Sequence, residues 1–381
     1  MTPPHRPHIL MTADTLGGVW TYATTLAREL CRRGVSITLV TLGPPPGSDQ
    51  RLAIADIPGL AVQATDLALE WMDPEGRDFS NALEQLRTIE RRIRPDIVHL
   101  NGYREAAGDW NAPVLVAAHS CVRSWWVACR EEEPCEERWL TYIDNVRSGL
   151  AAATAWVAPT AAFRDVVDRL YQPPVPGSVI WNAIDGGAPL RSKEPFILAA
   201  GRLWDEAKNI AILTRIAAQL PWPIKVAGRS RHPENARASA ALQDITELGE
   251  LSRAALREHM RRASIFAAPA RYEPFGLTIL EAARASCALV LADLPSLREL
   301  WDGAALFADP DDARAWRATL AHVARHDSMR HALQQRARQR ARRYSIRAFA
   351  DSYEQLYRSL APLGWDRAAA PGRGQPLEVR P

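Results

Sequence analysis

Short apolar runs alternate with segments of helical spacing along most of the chain. The alternation stops once, at a Pro/Gly-rich stretch, and then starts again. In the first half, residues 8–13 form an apolar strand, Asp14-Thr15-Leu16-Gly17-Gly18 a turn, and 19–33 a helical pattern stopped by Gly34. A β-branched strand at 35–40 follows, then a helix over 81–93, and apolar runs at 96–100, 114–119 and 156–159. Strands separated by helices imply parallel βαβ units, because parallel neighbours need a crossover connection. The Pro/Gly-rich stretch covers 172–189, with a short apolar piece at 178–184 inside it and the domain linker near 182–189. The alternation restarts with strands at 196–200, 224–228, 264–268 and 288–292. The helices predicted between and after them cover 210–220, 253–263, 274–286 and 346–360.

The chain has 381 residues, which at about 150 residues per domain suggests two cores. The reading is α/β with two halves: 1–185, 186–343, a closing helix within 344–362, and a disordered tail at 363–381. No internal repeat shows in the sequence. Apolar and charged fractions, 47 % and 24 %, are those of an ordinary globular chain, and the formal charge of +3 carries no basic-aromatic stripe. A nucleic-acid partner is therefore not expected. No apolar run reaches the roughly 18 residues of a membrane span, and the run at 9–13 is too short for a signal-peptide core. A cytoplasmic protein is expected. Its five scattered cysteines (31, 121, 129, 135 and 287) read as reduced thiols.

Four patterns carry candidate chemistry. In Glu273-Pro274-Phe275-Gly276-Leu277-Thr278-Ile279-Leu280-Glu281, two carboxylates flank a predicted helix start, about 10 Å apart along the axis. With Pro274 as the first helical residue, the amides of Phe275, Gly276 and Leu277 are free, and free amides at a helix N-terminus suit phosphate. A ligand with phosphates in the middle and hydroxyls at both ends fits this spacing, and so does a plain amphipathic helix. The loop from Gly201 to Asn209 holds Arg202 and Lys208 after the first strand of the second half, where open α/β sheets bind ligands. Only three of the 47 basic residues are Lys, and Lys208 is one of them. The two cations can neutralise a diphosphate, or they can pair locally with Asp205 and Glu206. Gly17-Gly18 lets backbone approach a ligand, although no GxGxxG fingerprint is present. His119 ends an apolar strand and either faces a cleft or is a bonded core histidine; His99 and Asn101 pose the same question.

Together these residues resemble the retaining glycosyltransferases of family 4, which have the GT-B fold. The resemblance rests on Gly17-Gly18, Pro95 to His99, Ala118-His119, 179–185, Ala200-Gly201-Arg202-Leu203 with Lys208-Asn209, Leu248-Gly249-Glu250-Leu251, the Glu273/Glu281 pair and Tyr344-Ser345, spanning about 8–360. It implies two Rossmann-like domains facing a cleft, with the last helix crossing back to the first. Arg202 and Lys208 would hold a diphosphate, and Glu281 the ribose hydroxyls. Glu273 would face the donor sugar, with the amides of Phe275, Gly276 and Leu277 on sugar and phosphate. Gly17 and Gly18 would press on the donor from the other domain, and His119 would touch the sugar near the reacting carbon. No metal and no cofactor is implied. The donor would be a nucleotide-diphosphate sugar, UDP- or GDP-linked, and the acceptor a glycan, a lipid-linked or a small molecule. Loose contact with the inner membrane face is compatible with the slightly basic balance. A non-catalytic nucleotide-sugar-binding protein and a GT-B sugar-nucleotide epimerase are the rivals.

Two features depart from the family pattern. Trp181-Asn182-Ala183-Ile184-Asp185 has Ala where the family often has Gly. The segment 123–139, with Trp125, Trp126, Cys129 and Cys135, has no counterpart. It reads as an acceptor-stacking wall or as aromatic packing under a loop.

Overall fold

The computed structural model describes residues 6–185, 191–229, 244–362 and 365. The first sheet contains β1 (His8–Asp14), β2 (Ser36–Leu42), β3 (Leu60–Ala64), β4 (Ile97–Leu100), β5 (Val114–Ala117), β6 (Ala155–Ala158) and β7 (Ser178–Val179). Their order is β3-β2-β1-β4-β5-β6-β7, parallel throughout. The second sheet contains β8 (Glu194–Ala200), β9 (Ile224–Ala227), β10 (Ile245–Gly249), β11 (Ala263–Ala268), β12 (Ala288–Ala292) and β13 (Ala305–Ala308). It is also parallel, in the order β10-β9-β8-β11-β12-β13. In both sheets the chain winds outward from the first strand and then returns to its other side. Each therefore has a topological switch point, between β1 and β4 and between β8 and β11. Beyond the carboxyl ends of the strands there, open sheets of this kind form their ligand crevices.

The strands read as unbroken apolar runs because helices cover both faces of each sheet. In the first sheet Ile9, Met11, Ala13, Ile97 and Leu115 join one core cluster, while Leu10, Val98, Leu100, Val114 and Val116 join the cluster on the opposite face. That parity decides the fate of His99. It shares a face with Ile97 and is fully buried.

The helix Ile346–Leu360 crosses back onto the first domain, as the resemblance implies. Phe349, Tyr353 and Tyr357 complete the core cluster of Ile9 and Met11. Tyr22 Oη donates to Tyr353 Oη at 2.5 Å, and Tyr357 Oη lies 2.6 Å from His99 Nδ1. At the rim, Arg33 Nη1 binds both Asp351 Oδ1 and Glu354 Oε2 at 2.6 Å.

Two helix expectations are corrected. The predicted helix over 210–220 is only Ala211–Thr214 followed by a 3₁₀ turn at Ala217–Gln219. β-branched Ile212, Thr214 and Ile216 weaken a helix there, and Pro221 disfavours α conformation at the residue before it. The helix expected from Pro274 begins at Leu277 and ends at Arg284. Gly276 precedes it at φ +84°, a left-handed conformation that a preceding helical turn could not contain. Part of the expected linker (186–190) and nearly all of the expected tail lie outside the described residues. The five cysteines are free thiols; Cys31, Cys121 and Cys287 are buried.

Candidate active site

The cleft between the domains is lined by loops at the carboxyl ends of β1, β5, β8 and β11. Gly17 stands directly before the helix Gly18–Arg32 with φ +117° and ψ −144°, a combination open in practice to glycine alone. A Cβ placed on Gly17 would lie 4.0 Å from Arg202 Nη1, and one on Gly18 would lie 3.6 Å from Leu277 Cδ1. The first loop of the first domain thus faces two residues of the second that the sequence had marked.

Arg202 follows β8 and is half exposed. Its Nε and Nη2 donate to Asp205 Oδ2 at 3.1 and 2.6 Å, which turns Nη1 toward Gly17. Asp205 is buried. Burial pushes its carboxyl up, but Arg202, Lys208 and the Trp125 hydrogen bond outweigh this and hold it below the usual range. Lys208 closes a 3₁₀ turn capped by Asp205, whose Oδ1 accepts from Ala207 N at 3.0 Å. Its Nζ reaches not Glu206 but Glu273 Oε2, at 2.7 Å. The alternative of local pairing therefore holds for Arg202 and fails for Lys208. Asn209, left-handed at φ +49°, ties the loop down through Nδ2 to Pro269 O and Pro310 O at 3.0 and 2.8 Å.

With the helix starting at Leu277, Pro274 and Phe275 belong to the preceding loop. Phe275 is a core residue, its ring edge-on to Tyr344 at 5.8 Å, and the amides without a helical acceptor are those of the turn from Leu277 onward. Glu281 Oε1 accepts from Arg253 Nε at 2.9 Å and Arg257 Nε at 3.3 Å. The buried Nη2 atoms of both arginines have no hydrogen-bond partner among the described residues.

On the first-domain side, His119 Nε2 lies 2.7 Å from Asn101 Oδ1, and its ring packs edge-on against Tyr22 at 4.3 Å. Asn101 is itself anchored, with Nδ2 on Thr12 O at 2.6 Å. Burial pushes His119 down to about 4, so the ring is neutral near pH 7. His99, by contrast, belongs to the core: burial, with His119 nearby, pushes it down to about 3.

Sequence reasoning did not single out several cleft residues. Asp14 ends β1, and burial raises its carboxyl to about 6, opposed by the Leu16 amide, Arg202 and Trp71. Tyr272, next to Glu273, reaches the first domain through its hydroxyl. Glu299 Oε1 and Oε2 accept from the amides of Ala161 and Ala162 at 3.0 and 2.9 Å, the free start of the helix Ala161–Tyr171. A lone Asp closing an apolar strand was a readable signal for Asp14; the others depend on which loops meet. Among the described residues no cluster of three or more His, Cys, Asp or Glu could hold a metal ion, and no helix is long and apolar enough to cross a membrane.

Comparison with known proteins agrees with this geometry. Residues 16–186 match the model of Glycosyltransferase Family 4, and 183–340 match that of Glycosyl transferases group 1. The chain is 25 % identical to the D-inositol 3-phosphate glycosyltransferase of Kineococcus radiotolerans, over 93 % of each chain. It is 26 % identical to the glycogen synthase of Mycobacterium tuberculosis, over 74 % of this chain and 76 % of that one. Among solved structures, the sucrose-phosphate synthase from Thermosynechococcus elongatus superposes with a TM-score of 0.74 at 19 % identity, covering 94 % of this chain and all of that one. Anabaena HepE in complex with UDP-glucose gives 0.71 at 15 %, covering 93 % and 100 %. With the two models meeting at the linker and covering both halves, this chain belongs to the GT-B glycosyltransferases of the family 4 type.

Proposed function

We propose that the protein transfers a hexosyl unit from a nucleoside-diphosphate sugar to an acceptor hydroxyl, with retention of configuration and without a metal ion or cofactor. The observation that carries the reading is the convergence of Arg202, Lys208 and Glu273 opposite Gly17 and Gly18. As the glycosidic bond of the donor breaks, negative charge grows on the leaving diphosphate. Arg202 Nη1, Lys208 Nζ and the first-turn amides from Leu277 are fixed donors for that charge. Glu273 keeps Lys208 in place and would face the donor sugar. Glu281 offers an acceptor and the guanidinium groups of Arg253 and Arg257 beside it offer donors, a set that suits a ribose diol, which both donates and accepts. His119, neutral and held by Asn101, presents an uncharged ring to the sugar. The departing phosphate takes the acceptor's proton.

A uridine donor is the favoured choice, since HepE is described in complex with UDP and UDP-glucose. The acceptor is a hydroxyl-bearing glycan, lipid-linked or small molecule. A cytoplasmic site of action goes with this reading, at the inner membrane face for a lipid-linked acceptor. The test is UDP release from UDP-glucose with glycogen, with inositol 3-phosphate and with no acceptor, each with and without EDTA. Acceptor-dependent, EDTA-insensitive release supports the reading. Conversion of the donor without acceptor makes the protein an epimerase, and binding without turnover makes it a nucleotide-sugar-binding protein. Loss of activity in EDTA contradicts metal independence.

A further inference from the structure

The helix Val122–Arg130 begins three residues after His119 and belongs to the first domain, yet its bonds run into the second. Trp125 Nε1 donates to Asp205 Oδ1 at 3.1 Å. Ser124 Oγ lies 2.7 Å from Tyr272 Oη, and the same hydroxyl accepts from Cys121 N at 3.3 Å. Asp205 stands three residues after Arg202, and Tyr272 directly before Glu273, so one helix touches both loops that carry the proposed donor-binding charges. The Trp125 indole is therefore committed across the cleft. Its neighbour Trp126 packs against Trp139 at 5.9 Å between ring centroids, with the Arg130 guanidinium 4.3 Å above its ring. This is aromatic packing with a polar tip aimed at the other domain, where an open stacking wall was the other expectation.

We propose that Trp125 is a positioning residue for the donor diphosphate, acting through Asp205 on Arg202; the inference rests on the donor-site reading above. The chain of contacts is short and directional. Asp205 is buried and has two oxygens to satisfy. Oδ2 takes Nε and Nη2 of Arg202, and Oδ1 takes Ala207 N and the Trp125 indole. A carboxylate held at both oxygens holds the guanidinium fork in one plane and leaves Nη1 facing Gly17. Trp125 lies in one domain and Asp205 in the other, so this hold is complete only when the two domains are together. Approach of the domains and aiming of Arg202 are then one event. The exposed Arg130–Glu206 pair at 3.5 Å adds little, being solvent-screened.

The experiment is calorimetric titration of UDP, GDP and ADP into the full chain, as wild type, Trp125→Phe, Arg202→Ala and the double variant. Trp125→Phe keeps an aromatic ring and deletes the N–H. It is expected to weaken binding of the preferred diphosphate about three- to tenfold, the scale of the net contribution of one ordinary hydrogen bond, since the bond acts on the ligand only through Asp205 and Arg202. In the Arg202→Ala background the same change is expected to have no further effect, which a merely structural role of the ring would not produce. Equal weakening in both backgrounds, or wild-type affinity in Trp125→Phe, overturns the proposal. If Trp125→Phe does not fold, Trp125→Tyr replaces it, with the same coupling to Arg202 required. The wild-type titration separates the two levels. Wild type that binds no diphosphate fails the donor-site reading and this inference with it. Wild type that binds, with Trp125 uncoupled from Arg202, fails the inference alone.

Discussion

Lys208 Nζ and Glu273 Oε2 lie 2.7 Å apart although 65 residues separate them in sequence, and the pair joins the loop after β8 to the loop after β11 across the switch point of the second sheet. The two residues stand in separate sequence patterns. Their contact makes one unit of the cationic loop and the carboxylate pair.

The unit predicts divided effects. Glu273→Gln keeps a side-chain oxygen near Lys208 and removes the charge. Diphosphate affinity is expected to stay within about threefold of wild type while turnover falls about 100-fold or more, the scale for loss of a charge that acts on the reacting centre. Lys208→Ala is expected to weaken both. Steady-state kinetics with a parallel UDP titration checks this; equal loss of UDP affinity in Glu273→Gln contradicts the assigned division.

Gly18 meets Leu277 across the cleft at 3.6 Å from a built Cβ, ordinary van der Waals contact for one methyl. The further methyls of Gly18→Val have no such room, so the variant is expected to hold the domains apart. Donor kcat/KM should fall at least about tenfold, since misplacement near 1 Å can cost far more. The melting temperature should move little, because Gly18 is exposed at a helix start. A large drop in melting temperature with intact kinetics would show that the position serves stability alone.

His99 makes stability depend on pH. Its folded pKa is pushed down to about 3 from an ordinary value of 6.5, so the unfolded chain binds the extra proton first. The stability of the neutral ring is complete above about pH 6.5 and is lost as pH falls toward 3, reaching about 2 kcal/mol at pH 5. His119, pushed down to about 4, adds in the same direction. Asp14, raised to about 6, acts in the opposite sense, since its protonation in the folded state favours folding as pH falls through 6. The wild-type slope is a difference, and His99→Gln isolates one part of it. Urea unfolding at pH 7 and pH 5 should show the variant losing about 2 kcal/mol less than wild type between the two. An unchanged pH increment would mean that His99 is protonated in the folded protein.

Much of this was legible because it is local. Buried parallel strands write themselves as apolar runs, so β1, β2, β8 and β12 stand out, and the turn at Gly17-Gly18 and the loop with Arg202 and Lys208 follow from their places after strands. β3, which buries none of its residues fully, and short β13 did not stand out. The start of the last site helix was misplaced because Pro274 suits a first helical position, and nothing local shows that Gly276 takes φ +84°. His99 and His119 both end apolar runs and read alike. Strand parity turns the first toward Tyr353 and Tyr357 of a helix some 250 residues away, and the second lies past the strand end beside Asn101. The roles of Asp205, Tyr272 and Trp125 depend on contacts between domains, which no local pattern records.

In the proposed reaction Arg202 and Lys208 hold a nucleoside diphosphate between the domains. Calorimetric titration of UDP, GDP and ADP into wild type and into Arg202→Ala/Lys208→Ala tests this most directly. Wild type is expected to bind UDP best and the double variant to lose about 100-fold or more, as expected for two charge-assisted contacts. Binding of none of the three, or equal binding by wild type and the double variant, would contradict it.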